Sequence, residues 1–270
     1  MKRELKKCVP FNFQWFVWLP GRVVYGFHFV LDARAFYRPG ILERITKVFS
    51  VNGVPIVHYA ISFNPKTESH GVIFADFTGL DLTVAYELLP TLRQVQYVVD
   101  VKIIPPLFEG FTIDPYFFPL IVGDERAILF LRRNYVAFDK VLREKIGTAY
   151  EVMLYLAGFE IGQSAFKAHR KIAGDDPERL IKITQALYKQ VAYGIMEIKW
   201  YDMDRCEAMV RIYDNFECEL FKETDKPASH FIRGTMAGWF SAFFNKEVIA
   251  IETKCIAKGD PYCQFIIKPK

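Results

Sequence analysis

The residues best suited to chemistry lie near the carboxyl end of the chain, where a glutamate and two cysteines are closely spaced. Glu252 and Cys255 are three residues apart, and Cys263 follows in the same segment. A turn signal, Gly-Asp-Pro at 259–261, separates the two cysteines. Proteins bind zinc through thiolates, imidazoles and carboxylates. The spacing therefore predicts three ligands of a tetrahedral, zinc-like site.

The segments on either side of this turn must bring the three side chains together. Residues 248–251 and 264–267 are mostly apolar and rich in isoleucine, which is typical of strands. Two strands joined by a tight turn would place both thiols and the carboxylate at one end of a hairpin. Two alternatives stay open: the thiols are reduced, packed side chains without a metal, or they form a disulfide, which a reducing compartment disfavours.

Composition limits the class of protein. The chain has 270 residues, of which 51% are hydrophobic and 24% charged, so we expect folded domains with sizeable cores. The net charge of +4 is too small to indicate nucleic-acid binding, and the basic cluster from Lys2 to Lys7 is short. Five cysteines without an even framework indicate reduced thiols and a cytoplasmic protein.

The apolar stretch from Phe11 to Pro20 is too short to span a membrane and is interrupted by polar residues. We interpret it as a strand or packing arm, or alternatively as a membrane-surface contact, and expect no membrane span elsewhere. Aromatic residues make up 16% of the chain. They either fill cores and interfaces or line an apolar pocket.

The first 104 residues predict a regulatory-type domain with an N-terminal arm. Hydrophobic periodicity indicates the order βαββαβ, which packs as a four-stranded antiparallel sheet with two helices on one face. The predicted strands and helices, in chain order, are 25–32, 41–49, 54–63, 71–77, 82–89 and 97–104.

This order, with Asp32, Pro39-Gly40 and Asn52-Gly53, resembles the ACT regulatory domains. The resemblance implies a small effector, often an amino acid, near Pro39 and Gly40 and a dimer interface. A glycine lets a ligand approach the helix N-terminus. Six residues separate Asp32 from Pro39, more than is usual in that family. The alternative is that Pro-Gly only starts a helix.

A linker at 105–125, rich in proline and phenylalanine, is predicted before a second domain at 126–270. Glycines inside two predicted helices indicate close helix packing or a kink near a pocket, so Gly162 is a candidate ligand-lining residue. The predicted elements are strands at 126–131, 196–202, 206–214 and 216–221, and helices at 135–146, 148–172, about 175–193 and 229–244.

The second half is similar to the 4-vinyl reductase domain family, a predicted hydrocarbon-binding domain. The similarity lies in His230 to Gly234, in Gly238-Trp239, and in the Glu-x2-Cys-x7-Cys hairpin. It implies an α/β fold shared with vesicle-tethering TRAPP subunits and with phenol sensors. It also implies a homodimer, an apolar or aromatic ligand near Trp239, and a structural zinc bound by Glu252, Cys255 and Cys263.

The fourth ligand implied by this family is a cysteine at a position where this chain has Ser229. Serine is a poor zinc ligand, so the fourth partner is His230, Cys218 or water. We favour His230 because imidazole binds zinc well. Trp239 is either a pocket-lining residue or an ordinary core residue. The other histidines show no spacing typical of a catalytic triad.

The resulting hypothesis is a non-catalytic sensor that binds a small hydrophobic or aromatic ligand and passes its output to a partner protein. No nucleotide-binding fingerprint, ATPase loop or DNA-binding helix pair is present in the sequence. A scaffold protein that dimerises through the TRAPP-like fold is the main alternative. A reductase-type enzyme is a second alternative, although no acid–base cluster stands out.

Overall fold

The chain folds as two compact units, residues 1–128 and 129–270. The computed structural model describes residues 8–62, 67–221 and 224–270, so the basic cluster from Lys2 to Lys7 lies outside the described residues. Within these ranges no helix is long and apolar enough to cross a membrane.

The first unit is built on a four-stranded antiparallel sheet in the order β3-β4-β2-β5. The predicted α+β class and βαββαβ order are confirmed. Its elements are β1 (Phe16–Trp18), β2 (Val24–Leu31), α1 (Ile41–Val51), β3 (Ile56–Ser62), β4 (Ser69–Asp76), α2 (Thr83–Arg93), β5 (Val98–Ile104), β6 (Phe111–Ile113), β7 (Ile121–Val122) and β8 (Glu125–Arg126).

One face of this sheet packs on the two helices. Side chains alternate along β2, so that Phe27, Phe29 and Leu31 point to the helix side. Helix α1 presents Ile45 and Phe49 to them at helical spacing, and the rings of Phe27 and Phe49 are 5.1 Å apart in an edge-on contact. This face holds the main core of the unit.

The other face is covered by a two-stranded ribbon formed by β1 and β6. Val17 and Thr112 are paired across the ribbon and both are buried. The hydroxyl of Thr112 donates a hydrogen bond to the carbonyl of Val24. Residues 105–125, which the sequence assigned to a linker, are therefore packed as part of the first unit. The apolar residues of the sheet's second face must be shielded from water, and this segment shields them.

A buried polar contact holds the ribbon's segment to the sheet. His28 Nδ1 on β2 donates to Asp114 Oδ2 over 2.7 Å, and both side chains are buried. His28 Nε2 lies 3.1 Å from His70 Nδ1 on β4. Burial raises the pKa of Asp114, but hydrogen bonds from His28 and from the backbone N–H groups of Phe117 and Tyr116 outweigh it and lower that pKa overall.

The second unit combines long helices with an antiparallel sheet in the order β11-β12-β10-β9. Its helical entry is α3 (Arg132–Tyr135), a π-helical stretch (Val136–Val141) and α4 (Leu142–Ile146). The other elements are α5 (Thr148–Ala173), α6 (Pro177–Gln190), β9 (Ile195–Asp202), β10 (Glu207–Tyr213), α7 (His230–Phe244), β11 (Val248–Lys254) and β12 (Cys263–Pro269).

Two strands predicted in this half are wrong. Residues 127–131 are not a strand, because β8 ends at Arg126. Residues 216–221 contain a 3-10 turn, Cys218–Leu220, instead of a strand. Asn215 accepts the N–H of Glu217 and so favours a turn. The buried Glu217 carboxylate then accepts the N–H groups of Phe231 and Ile232 at the start of α7.

Helices α5 and α7 cross at backbone contact through glycines on both. A Cβ added at Gly158 would lie 2.2 Å from the Phe231 carbonyl oxygen, and one at Gly238 would lie 1.9 Å from that of Phe159. Real Cβ atoms do not approach this closely, so only glycine fits at these positions. The crossing fixes α7 against α5.

We expect replacement of Asp114 by asparagine to weaken the packing of residues 105–125 on the sheet. Asparagine can still accept the two backbone N–H groups but loses the charge opposite His28. The free energy of unfolding should fall by about 2 kcal/mol at neutral pH. Because the native pKa of Asp114 is lowered, this difference is full above pH ~4 and disappears as the pH falls through the native pKa.

The measurement is urea unfolding of the full chain at several pH values, with hydrogen exchange across 105–119. Asp124→Asn, at an exposed position in the same unit, is the control. Equal stability of Asp114→Asn and wild type at pH 7 would contradict the role assigned to this contact.

Candidate metal centre

Four potential metal ligands meet at one end of the second unit's sheet. Cys218 lies in the 3-10 turn after β10, Glu252 near the end of β11, Cys255 just beyond it, and Cys263 at the start of β12. One ligand atom from each lies within 4.8 Å of the others. The three cysteines are fully buried and the glutamate is half-buried.

The sulfur separations favour coordination over a disulfide. Cys218 Sγ lies 3.4 Å from Cys255 Sγ and 3.5 Å from Cys263 Sγ. A disulfide requires about 2.05 Å, and all the cysteines among the described residues are free thiols. Four ligands at about 2.3 Å around a tetrahedral zinc have sulfurs roughly 3.8 Å apart. The thiols are thus near the spacing that such an ion imposes.

The hairpin turn positions two of these thiols. Residues 256–258 form a 3-10 turn that ends at Gly259, whose φ of +91° suits glycine. The Asp260 carboxylate accepts the N–H of Cys255 at 2.9 Å, and the N–H of Ile256 points at Cys263 Sγ at 3.5 Å. The local sequence therefore bends both sulfurs inward.

Ser229 and Asn215 support the cluster from the side. The Ser229 hydroxyl lies 2.8 Å from both Cys218 Sγ and Glu252 Oε1. The Asn215 amide donates to that hydroxyl at 3.0 Å and approaches Cys263 Sγ at 3.4 Å. Ser229 is also the residue before α7. It orients ligands, as outer-shell groups of metal sites do.

The electrostatics of the cluster point to a cation. Hydrogen bonds from the Cys218 and Cys263 thiols lower the pKa of Cys255 to about 2, whereas the bond to Cys255 raises the pKa of Cys218. Burial, and next the charge of Cys255, raises the pKa of Glu252 to about 8. The protein alone thus favours one negative charge here. A divalent ion would allow all four groups to ionise.

The preference for His230 as fourth ligand is wrong in this geometry, and Cys218, which the sequence left open, takes the place. His230 opens α7, but its Nε2 lies 3.3 Å from Glu151 on α5. Burial lowers the pKa of His230 to about 4. The signal for Cys218 was strand order: β10 pairs with β12, so residues just after β10 reach the sheet end that holds Cys263.

Trp239 and Gly162 lie on the two crossing helices. Trp239 is buried against the rings of Phe166 and Phe243, and its indole N–H donates to His169 Nδ1 at 3.1 Å. Burial lowers the pKa of His169 to about 4. A Cβ at Gly162 would lie 2.2 Å from the carbonyl oxygen of Thr235. Gly162 therefore serves helix packing, while His169, interpreted as structural from sequence, is the polar partner of Trp239.

Gly40, with Pro39 exposed beside it, lies at a groove in the first unit. Gly40 has a φ of +83° and precedes α1. The long insertion after Asp32 forms a 3-10 turn, and Asp32 is bonded to Arg34. The groove has a volume of about 430 Å³ and is lined by Leu31, Ala35, Arg38, Gly40, Ile41, Leu42, Glu43 and Ile61.

Comparison with known proteins places the metal cluster in a recognised domain. The sequence model of the 4-vinyl reductase domain matches residues 208–269, which include all four potential ligands, so the second unit carries a 4-vinyl reductase domain. The uncharacterized protein MJ0150 of Methanocaldococcus jannaschii is 28% identical over 122 residues, or 45% of this chain. That alignment spans 66% of the relative, just under two thirds of its length.

Two solved structures are similar at the level of fold. The phenol-responsive sensory domain of the transcription activator PoxR, solved with phenol, is 20% identical with a TM-score of 0.49 over 55% of this chain and 79% of that one. The ACT domain of GTP pyrophosphokinase from Chlorobium tepidum is 19% identical with a TM-score of 0.25 over 30% of this chain and 97% of that one.

We expect Cys218→Ser to abolish tight metal binding and His230→Gln to leave it intact. The reason is that Cys218 belongs to the four-ligand cluster and His230 faces Glu151. Cys206→Ser is the matched control, since this buried thiol lies outside the cluster. Elemental analysis of the purified proteins should find one metal ion per chain in all but Cys218→Ser. Metal loss from His230→Gln with retention in Cys218→Ser would reverse the assignment.

Proposed function

We propose that this chain is a non-catalytic, cytoplasmic sensor whose 4-vinyl reductase domain binds a small hydrophobic or aromatic molecule and is held together by a structural zinc ion. The buried Cys218–Glu252–Cys255–Cys263 cluster carries the proposal. Three thiols and a carboxylate match the ligand preference of zinc better than that of calcium or magnesium, which take oxygen ligands. Free buried thiols suit a reducing compartment.

A structural role for the ion follows from the number of ligands. Catalytic zinc sites keep one position open for water, whereas four protein ligands close a tetrahedral shell. The four residues come from the turn after β10 and from both strands of the β11–β12 hairpin. An ion there would join segments more than 30 residues apart in sequence. It would stabilise the fold and leave no site for a reacting substrate.

The aromatic cluster around Trp239 supports an apolar ligand. Phe166, Phe243 and Trp239 contact one another through their rings, and Tyr201 contacts Phe243. His169 is a polar group beside this apolar surface. Small-molecule sites combine such apolar walls with a few polar groups that orient the ligand. A ligand with one hydroxyl on an aromatic ring suits this combination.

The groove beside Gly40 supports a second effector site in the first unit. Its walls are largely apolar, and Arg38 and Glu43 bring opposite charges to its rim. An amino acid carries both charges and an apolar side chain, so it fits this lining by charge and by size. Such a site would let the first unit respond to a metabolite different from the ligand of the second unit.

We expect phenol to stabilise the full-length protein against heat and Trp239→Phe or His169→Phe to reduce that effect. Binding to the native state raises the free energy of unfolding by RT ln(1 + [L]/Kd), about 2.7 kcal/mol at a hundredfold excess over Kd. The measurement is a thermal shift with phenol, toluene and decanoate as probes. Trp200→Phe, on the sheet, is the control. No shift with any of the three probes would contradict the proposed ligand class.

The outer face of α5 favours a homodimer, which the scaffold hypothesis also requires. Val152, Met153 and Leu156 lie on the face opposite the glycines and are all more than half exposed. A helix of a monomer would carry polar residues there. We propose that this face pairs with its copy in a second chain.

We expect Leu156→Glu to convert a dimer to a monomer, because a buried charge without a partner is costly. Ile172→Glu, on a different face of the same helix, is the control and should leave the dimer intact. Light scattering coupled to size exclusion gives the mass. A wild-type monomer at high micromolar concentration, or dissociation by Ile172→Glu only, would contradict the proposed interface.

A further inference from the structure

The ribbon that covers the first unit's sheet has a second apolar face that points to solvent. Val17 and Thr112 face the sheet, so their neighbours Phe16, Trp18, Phe111 and Ile113 face outward. Trp18 is 65% exposed. An outward face of an antiparallel pair is normally polar, so this one has a use other than packing within the unit.

Neighbouring segments extend this apolar face. The rings of Phe16 and Phe111 are 5.5 Å apart, and Phe108 stacks on Phe111 at 4.9 Å. The chain before the ribbon exposes Phe11 by 84%, and the chain after it exposes Phe118 by 78%. Single exposed apolar residues are ordinary, but a contiguous aromatic patch marks an interaction site.

The net charge of the chain is concentrated in the sequence that leads into this ribbon. Residues 1–22 contain five basic residues (Lys2, Arg3, Lys6, Lys7 and Arg22) and one acidic residue, Glu4, a net charge of +4. The whole chain also has a net charge of +4, so the remaining 248 residues sum to zero. Such asymmetry indicates a negatively charged partner for the N-terminal arm.

We propose that the aromatic face of the β1–β6 ribbon, together with the basic N-terminal arm, docks the protein on an anionic lipid surface. Exposed tryptophan and phenylalanine enter the headgroup boundary of a bilayer, and lysine and arginine bind its negative charge. The contact is interfacial and spans nothing. The contact of His28 with Asp114 holds the ribbon in place on the sheet, so the face is formed before binding.

Two other occupants fit these features less well. A second copy of the chain would bring one basic arm against another, which like charges oppose. A single-stranded nucleic acid would stack on the aromatic rings, but the exposed aliphatic residues Val9, Leu107 and Ile113 offer it nothing. In a lipid surface both the aromatic and the aliphatic side chains are buried.

The test is co-sedimentation of the full-length protein with vesicles of phosphatidylcholine alone or with about one third phosphatidylserine. We expect binding to the anionic vesicles only, and a loss of binding in about 0.5 M salt, where the Debye length falls to about 4 Å. Trp18→Ser with Phe108→Ser, and separately Lys2→Gln with Lys6→Gln and Lys7→Gln, should each weaken binding about tenfold or more. Phe11→Ser gives a further variant at a highly exposed position.

Matched controls in the second unit are Trp200→Ser and the triple variant Lys167→Gln, Lys171→Gln and Lys189→Gln. Circular dichroism confirms that each variant folds. Equal binding to neutral and anionic vesicles, or loss of binding in the controls alone, would overturn the proposal. So would competition by poly(U) with no vesicle binding, or a change of oligomeric state caused by Trp18→Ser.

Discussion

The packing of three thiols and a carboxylate within 4.8 Å of one another, in a buried place, is the constraint on which the second unit depends. Acidic groups at this distance cannot all be ionised without a cation, and the raised pKa values of Glu252 and Cys263 express that repulsion. For Cys263 the bond from Cys218 lowers the pKa, but the bond to Cys255 and burial raise it to about 12. A metal would convert this repulsion into a cross-link.

The second constraint is steric, because helices α5 and α7 touch backbone to backbone. Four glycines make this possible, two on each helix, and each would place a Cβ 2.2 Å or less from a backbone oxygen. Glycine costs helix stability of roughly 1 kcal/mol against alanine at each position. That cost is offset by the close contact, which leaves α7 little freedom to shift along α5.

Much of the fold could be predicted from local pattern, but the site could be predicted only in part. Strand and helix periodicity located the βαββαβ order, and the Glu-x2-Cys-x7-Cys spacing located three ligands. Cys218 was less visible because its neighbours look strand-like, and its turn depends on Asn215 and Glu217 bonding to groups close by and far along the chain. Gly162 carried a helix-packing signal that a pocket hypothesis also fitted, and only the partner helix distinguishes the two.

Helix α7 connects the metal centre to the aromatic cluster. Ser229 at its start contacts Cys218 and Glu252, and Trp239 follows ten residues later, about 15 Å along the helix axis. Because the glycine crossing holds α7 against α5, Trp239 also meets His169 of α5 at a defined distance. An ion that secures the start of α7 therefore also sets the position of the residues proposed to contact a ligand. Structural metal and ligand site are in this way parts of one rigid arrangement, although no residue belongs to both.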